Sequence, residues 1–360
     1  MKKVLVSGAS IGGPVLAYWL GRHGFDVTVV ERAPAPRKGG QAVDIRGAAL
    51  TVVERMGVLE QVRALRTTMR GMNMLDGDGN ELMRSEEETL SGGRFDSPDV
   101  EIMRDDLNRI LLGASASARY VYGDSIATLG EDGEVTFEGG WGERYDHVIG
   151  ADGLHSNVRR LAFGPEEQYL HHLGTYVSIY TAGNFLGLDH WQTWFNAGEA
   201  GGALFSDRDP AEMRVNLGFR ADVIDYDYRD LDQQKRLIQE HCSQVWEAPR
   251  LLEAMWKADD FYFDSMAQVK MERWTKGRVA LVGDAGYCAS PLSGQGTSLA
   301  LVGAYVLAQE LGAGGADAFE RYEERMRPFV AANQALAHEN PGQGAAPESV
   351  QRAANNITLT

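Results

Sequence analysis

The sequence predicts an α/β fold: a discontinuous, Rossmann-like nucleotide-binding domain with an inserted, mostly antiparallel β-sheet domain. Three observations predict it. The chain opens with a strand, a glycine turn, a helix and a second strand within Lys2–Glu31. A second buried-strand pattern ending in Gly-Asp, Lys276–Ala285, returns to that style near the other end. Between about residues 166 and 265 the pattern changes to alternating stretches rich in aromatic and β-branched residues, the mark of antiparallel strands.

Each element follows from its pattern. Lys2–Gly8 (KKVLVSG) is a continuous apolar run stopped by glycine, hence a short buried strand. In Gly12–Gly24, Val15, Leu16, Trp19 and Leu20 fall on one helical stripe and Gly24 stops it. Phe25–Glu31 is the next strand, so the three form a βαβ unit. Arg32–Gln41 is a Pro/Gly/basic loop, and Gly47–Leu65 is helical with a break near Gly57. Met72–Leu82 is a hairpin around an Asp-Gly turn, Glu86–Glu88 a solvated loop, and Arg104–Leu112 a helix. Asp132–Gly153 is a hairpin followed by a buried strand ending at Asp152. A polar helix over about Asp232–Val245 follows the inserted strands. The expected division is residues 1–72, 100–165 and 266–345 in the nucleotide domain, 73–99 and 166–265 in the inserted domain, and 346–360 as a loosely attached tail.

Bulk properties narrow the function. A formal charge of −16 repels phosphate polymers, so nucleic acid is not an expected partner. Two distant cysteines, Cys242 and Cys288, make neither a disulfide framework nor a metal cluster. The histidines are scattered without ligand spacing, and no metal is expected. With no signal-peptide pattern and no run of roughly 20 apolar residues, a cytoplasmic protein without a membrane span is expected.

Gly8–Gly13 (GASIGG) sits between strand and helix, with Gly8, Ser10 and Gly13 at the positions of the dinucleotide fingerprint. Ser10 replaces the middle glycine, whose role is close approach of the pyrophosphate. Glu31 ends the following strand, where a carboxylate accepts hydrogen bonds from an adenosine ribose. These residues point to a bound adenine dinucleotide. Gly283-Asp284 ends a later strand of the same sheet, which places Asp284 to hold ribityl or ribose hydroxyls. The helix start after Pro291-Leu292-Ser293-Gly294-Gln295-Gly296-Thr297 presents free N–H groups and a positive dipole end to the pyrimidine edge of a flavin.

The combination of GASIGG…VVER, GADGLHSNVRR (Gly150–Arg160) and GRVALVGDAGYCASPLSGQGTSLA (Gly277–Ala300) resembles the single-component FAD-dependent aromatic hydroxylases, the family of para-hydroxybenzoate hydroxylase. The nearest resemblance is to the flavin-dependent tetracycline-inactivating monooxygenases, over about residues 1–340. It implies that Gly8, Ser10, Gly12, Gly13, Glu31, Arg32, Arg104, Asp152, Gly283, Asp284, Pro291, Gly294, Gln295, Gly296 and Thr297 serve the cofactor. Gly39–Gly47 resembles the segment beside the isoalloxazine, with Asp44 and Arg46 either cofactor-side groups or solvated loop residues. Gly286 and Tyr287 stand where many relatives have other residues, including a histidine.

The resemblance implies an FAD enzyme that uses NADPH or NADH as a transient co-substrate and O2 to hydroxylate an aromatic or polycyclic (phenolic, polyketide or tetracycline-like) molecule through a flavin C4a-hydroperoxide. The inserted sheet would carry the substrate. Arg214, Asn216 and Tyr176 are the substrate-orienting candidates, with an outward-facing Arg214 as the alternative; no catalytic residue is assigned. An FAD-dependent reductase of an alkene or isoprenoid, without oxygen insertion, is the alternative activity. Neither a halogenase Trp-x-Trp-x-Ile-Pro segment nor a Gly-x-Ser-x-Gly nucleophile elbow is present.

Overall fold

A computed structural model describes residues 1–37, 39–339 and 344–359. The first strand, Lys3–Ser7, sits inside a six-stranded sheet. Its parallel neighbours are Asp26–Glu31 on one side and His147–Gly150 on the other. Arg119–Tyr122 extends the sheet beyond Asp26–Glu31, and Val279–Leu281 extends it beyond His147–Gly150, both in parallel. All five parallel strands therefore end on one edge, where such sheets bind ligands. Thr275–Lys276 closes the far side as an antiparallel edge.

The helices Gly12–Arg22 and Gly296–Ala313 pack together over this sheet. The second is apolar around its circumference, as a helix enclosed on all sides must be. Val4, Leu5, Val6, Leu16, Leu20, Val302 and Val306 are fully enclosed in this core.

A seven-stranded sheet forms the second layer system, in the order 262–269, 170–183, 212–220, 200–206, 191–197, 71–75, 81–85. Every pairing is antiparallel except Gly71–Leu75 with Trp191–Ala197. The helices Leu231–His241 and Ala248–Lys257 cover one face. The second of these was not expected; its apolar residues Leu251 and Met255 close the core below the sheet.

The expected break near Gly57 separates Ala48–Arg55 from Leu59–Ala64, and Gly57 has φ +74°. Residues 346–359, expected as a loose end, form a docked helix, Pro347–Ala354. Ala353 and Ala354 are buried, Asn333 Nδ2 donates to the Ala353 carbonyl at 3.1 Å, and Gln351 Nε2 donates to Asp99 Oδ2 at 2.7 Å. Among the described residues no helix is long and apolar enough to cross a membrane.

Candidate active site

The sheet topology sets Gly8, Glu31, Asp152 and Gly283 in a row at the carboxyl ends of four adjacent strands. Gly8 has φ +107°, and a Cβ there would lie 2.3 Å from the Ala151 carbonyl oxygen. A Cβ on Gly13 would lie 1.9 Å from the Gly8 carbonyl oxygen, so the turn closes only with hydrogen at both places. Gly12 is different: its Cβ would meet Val282, Ala151 and Ala300 at 3.6–3.9 Å, ordinary contacts. Ser10 is exposed at the tip of the turn. The following helix has no side-chain cap, which leaves its first N–H groups free for an anion.

Glu31 is fixed by two backbone donors, Ala9 N–H to Oε2 and Ala33 N–H to Oε1, each at 2.9 Å. Its carboxylate is thus held at the mouth of the turn. Arg32 beside it is exposed.

Arg104 begins the helix Arg104–Ala114 and is 7% exposed. One nitrogen, Nη2, donates to the carbonyls of Arg37 and Gly39 at 3.1 and 3.0 Å, while Nε has no partner among the described residues. Among the described residues no carboxylate comes within ion-pair distance of it. Burial, with Arg37 nearby, lowers its pKa to about 10. Such a cation calls for an anion. Asn108, one helical turn on, is oriented to donate to the Ala9 and Ser10 carbonyls at 3.1 and 2.9 Å. Sequence reading missed Asn108, although the four-residue step from Arg104 puts both on one helix face.

Asp152 plays a holding role. It accepts from Ser7 Oγ, Ser156 Oγ and the Val158 N–H at 3.2, 2.5 and 3.1 Å, tying the strand end to the Asn157–Ala162 helix. Asp284 sits at the start of a short helical turn after Gly283, and burial raises its pKa. Pro291–Ser293 form a 3-10 turn, and Gly294 follows at φ +64°. Gln295 is wholly buried, and neither of its amide atoms has a partner among the described residues. Gly296 and Thr297 open the uncapped helix that follows.

Asp44 and Arg46 are not solvated loop residues. They pair with each other at 2.9 Å, both almost enclosed. The Arg46 N–H donates to Ser298 Oγ at 3.1 Å, which ties this segment to the Gly296–Ala313 helix.

The open face of the seven-stranded sheet meets this region. Cross-strand register puts Gln192, Phe205, Arg214 and Thr181 in one row, and Trp194, Ala203, Asn216, Ile179 and Tyr262 in the next. Gln192 Nε2 donates to Ser91 Oγ at 2.6 Å, and Arg46 Nη2 donates to the Ser91 carbonyl at 2.8 Å. The Arg37 guanidinium lies 5.1 Å from the Tyr262 ring centre. Arg214 bonds Thr181 Oγ1 and pairs with Glu212 Oε2 at 3.5 Å, while its Nε and Asn216 Oδ1 are buried without partners among the described residues. Arg214 is therefore inward-facing.

Tyr176 is corrected. It lies on the opposite, helix-covered face, 1% exposed, and its hydroxyl accepts from the Ile224 N–H at 2.8 Å. Alternation gave the faces but not which one was covered.

A second network was not expected. His155 bridges Glu166 Oε1 at 2.7 Å and Asp264 Oδ1 at 3.2 Å. Arg159, fully buried, joins Glu166 to the carbonyl of Ala285 beside Asp284. Burial opposes charge on His155, but the two carboxylates outweigh it and raise its pKa to about 10. The folded protein therefore holds a proton that the unfolded chain loses near pH 6.5, so this stabilisation is full below that pH and fades up to about 10. His155→Gln is expected to cost roughly 3 kcal/mol at pH 6 and to flatten the loss of stability between pH 6.5 and 10, as read by urea melts. A wild-type stability that stays level over that range would refute the assignment.

These features fit FAD: a glycine turn with free N–H groups for the pyrophosphate, a buried cation, Arg104, with no carboxylate partner among the described residues, and a buried amide with open valences at the second helix start. Among the described residues no His/Cys/Asp/Glu group suited to a metal occurs. A family model described as "FAD binding domain" matches residues 1–337. A flavin-dependent monooxygenase of Legionella longbeachae is 42% identical over 92% of this chain and 87% of its own length. An uncharacterized protein of Mycobacterium tuberculosis is 51% identical over 100% of this chain and 99% of its own. The crystal structure of tetracycline destructase Tet(51) superposes with TM-score 0.90 at 39% identity, covering 100% and 99% of the two chains. That of tetracycline destructase Tet(55) gives 0.88 at 40% identity, covering 100% and 98%.

Proposed function

Because the chain belongs to the FAD-binding-domain family and is an FAD-dependent monooxygenase, we propose that it uses NADPH or NADH and O2 to place one oxygen atom on an electron-rich aromatic or polycyclic small molecule. The observation that carries this reading is the pairing of two surfaces. The cofactor cradle is joined through Arg46 and Ser91 to the sheet face that bears the unpartnered atoms of Arg214 and Asn216.

The bound flavin supplies electron transfer from the nicotinamide and activation of O2. The protein's part is to bind, orient and exclude water. Glu31, the Gly8–Gly13 turn and Arg104 hold the dinucleotide end. Gln295 and the N–H groups after it would hold the flavin end, where a helix N-terminus favours negative charge. Phe205, Ala203 and Trp194 form an apolar wall, which keeps water from the reacting oxygen. Arg214 and Asn216 orient a phenol or enol oxygen on the substrate. The likeness to two tetracycline destructases puts tetracycline-like polycycles first in a substrate panel, followed by phenols and anthracyclines.

Arg214→Ala is expected to raise KM about 10- to 100-fold, a charge-assisted hydrogen bond's worth, with flavin absorbance and thermal midpoint unchanged. Equal loss of flavin would remove Arg214 from the substrate side. Steady-state kinetics with flavin-to-protein ratio distinguish the two.

A further inference from the structure

Arg214 owes its position to a row of cross-strand neighbours. Thr181 stands directly opposite it on the strand Leu170–Gly183. On the other side of that strand Ile179 faces Tyr262, and the same register carried two residues further sets Asp260 opposite Thr181. The pairing strand begins only at Tyr262, so Asp260 meets Thr181 with its side chain. The Thr181 N–H donates to Asp260 Oδ1 at 2.9 Å, and the Thr181 hydroxyl donates to Asp260 Oδ2 at 2.5 Å.

A threonine hydroxyl carries one hydrogen and two lone pairs. Here the hydrogen is committed to Asp260, so toward Arg214 the same oxygen is an acceptor only. Arg214 Nη1 donates to it. The polarity of the chain therefore runs one way, from guanidinium to hydroxyl to carboxylate. Glu212 Oε2 also lies 3.5 Å from Nη1, but that side chain is exposed and the contact is worth little. The nucleotide domain backs Asp260. Gly39 has φ +69°, and a Cβ there would lie 2.4 Å from Asp260 Oδ2. The Gly39 N–H donates to Asp105 Oδ2 at 3.2 Å, and its carbonyl accepts from Arg104 at 3.0 Å. Backbone anchored on both sides thus stands against the carboxylate oxygen that Thr181 uses.

We propose that Asp260 is a positioning residue for substrate binding: it sets the hydrogen-bond polarity of Thr181 and thereby the orientation of Arg214. With Nη1 anchored, the plane of the guanidinium is fixed. Its Nε–H, buried without a partner among the described residues, is left for a substrate oxygen. Asp260 acts through Arg214, so the inference rests on the reading of Arg214 as a substrate-side residue.

The test compares Asp260→Asn with Asp260→Ala in the flavin-loaded enzyme, on a tetracycline-like substrate from the panel. The nearly isosteric change should be the worse one. Asparagine Oδ1 must accept the Thr181 N–H, which turns its NH2 group toward the Thr181 hydroxyl oxygen. The hydroxyl hydrogen then points at Arg214, donor against donor. Asp260→Asn should raise KM about 10-fold, with kcat and flavin-to-protein ratio unchanged. Asp260→Ala leaves the hydroxyl free to turn and to keep accepting from Arg214, and should raise KM no more than about 3-fold. Thr181→Val keeps the β-branched shape and should erase any further effect of Asp260→Asn. A merely structural carboxylate gives the reverse order, alanine worse than asparagine, and that order overturns the proposal. So does an Asp260→Asn effect that persists in an Arg214→Ala background. Crystal structures of the wild-type and Asp260→Asn proteins give a readout free of turnover. The Arg214–Thr181 bond should be present in the first and broken in the second; an unmoved Arg214 overturns the proposal. A displaced guanidinium, together with an Arg214→Ala enzyme of unchanged KM, would instead sink the substrate-side reading of Arg214 and leave Asp260's role in placing it standing.

Discussion

Gly13→Ala protein is expected to purify without flavin, whereas Gly12→Ala protein, altered one residue away, should remain yellow. The added methyl carbon at residue 13 would sit 1.9 Å from the Gly8 carbonyl oxygen. That neighbour is backbone, in a turn already pressed against Ala151, so it cannot swing aside as a side chain would. Helix and strand must separate, and the N–H groups that receive the pyrophosphate move with them. Overpacking of this kind costs about 3 kcal/mol, a fall of roughly 6–12 °C for a domain of this size. At residue 12 the same carbon meets Val282, Ala151 and Ala300 at ordinary contact distance. Flavin-to-protein ratio and apoprotein melting temperature measure both effects. Equal flavin content in the two variants would show that the turn is not the dinucleotide site.

Arg104→Ala should lose FAD affinity by roughly 10- to 150-fold, the worth of a charge-assisted contact to phosphate. The apoprotein should barely change in stability. A buried cation whose hydrogen-bond partners among the described residues are carbonyls is costly to the empty fold, so removing it relieves about as much as it breaks. Arg104→Lys should recover part of the affinity, because a point charge replaces the fork. Added FAD should raise the wild-type melting temperature by mass action and the alanine variant's far less. A large fall in apoprotein stability with unchanged FAD affinity would make Arg104 a structural residue.

Much of this was legible in the sequence, and the reason differs by region. The strand–turn–helix–strand unit at Lys3–Glu31 is local, and its glycines are dictated by backbone geometry that neighbouring residues reveal. The inserted sheet was legible as alternation, which assigns residues to faces but not faces to partners. Tyr176 and Arg214 are therefore both substrate-side candidates by alternation, although the two lie on opposite sides of the sheet. The helix Pro347–Ala354 is polar and alanine-rich; it is held by Asp99 and Asn333, more than 200 and about 20 residues distant, which no local pattern shows. The His155–Asp264 link joins residues 109 apart for the same reason. Asp44 and Arg46 were legible as residues but not as a buried pair, because the groups that meet them there, Ser91, Glu101 and Ser298, are distant in the chain.

The most direct test of the central claim is turnover under isotopically labelled O2, with NADPH and NADH in turn, against tetracyclines, anthracyclines and phenols. The account predicts substrate-stimulated nicotinamide oxidation and a product heavier by one labelled oxygen atom. A product that gains hydrogen and no label would contradict it and establish a flavin-dependent reductase in its place.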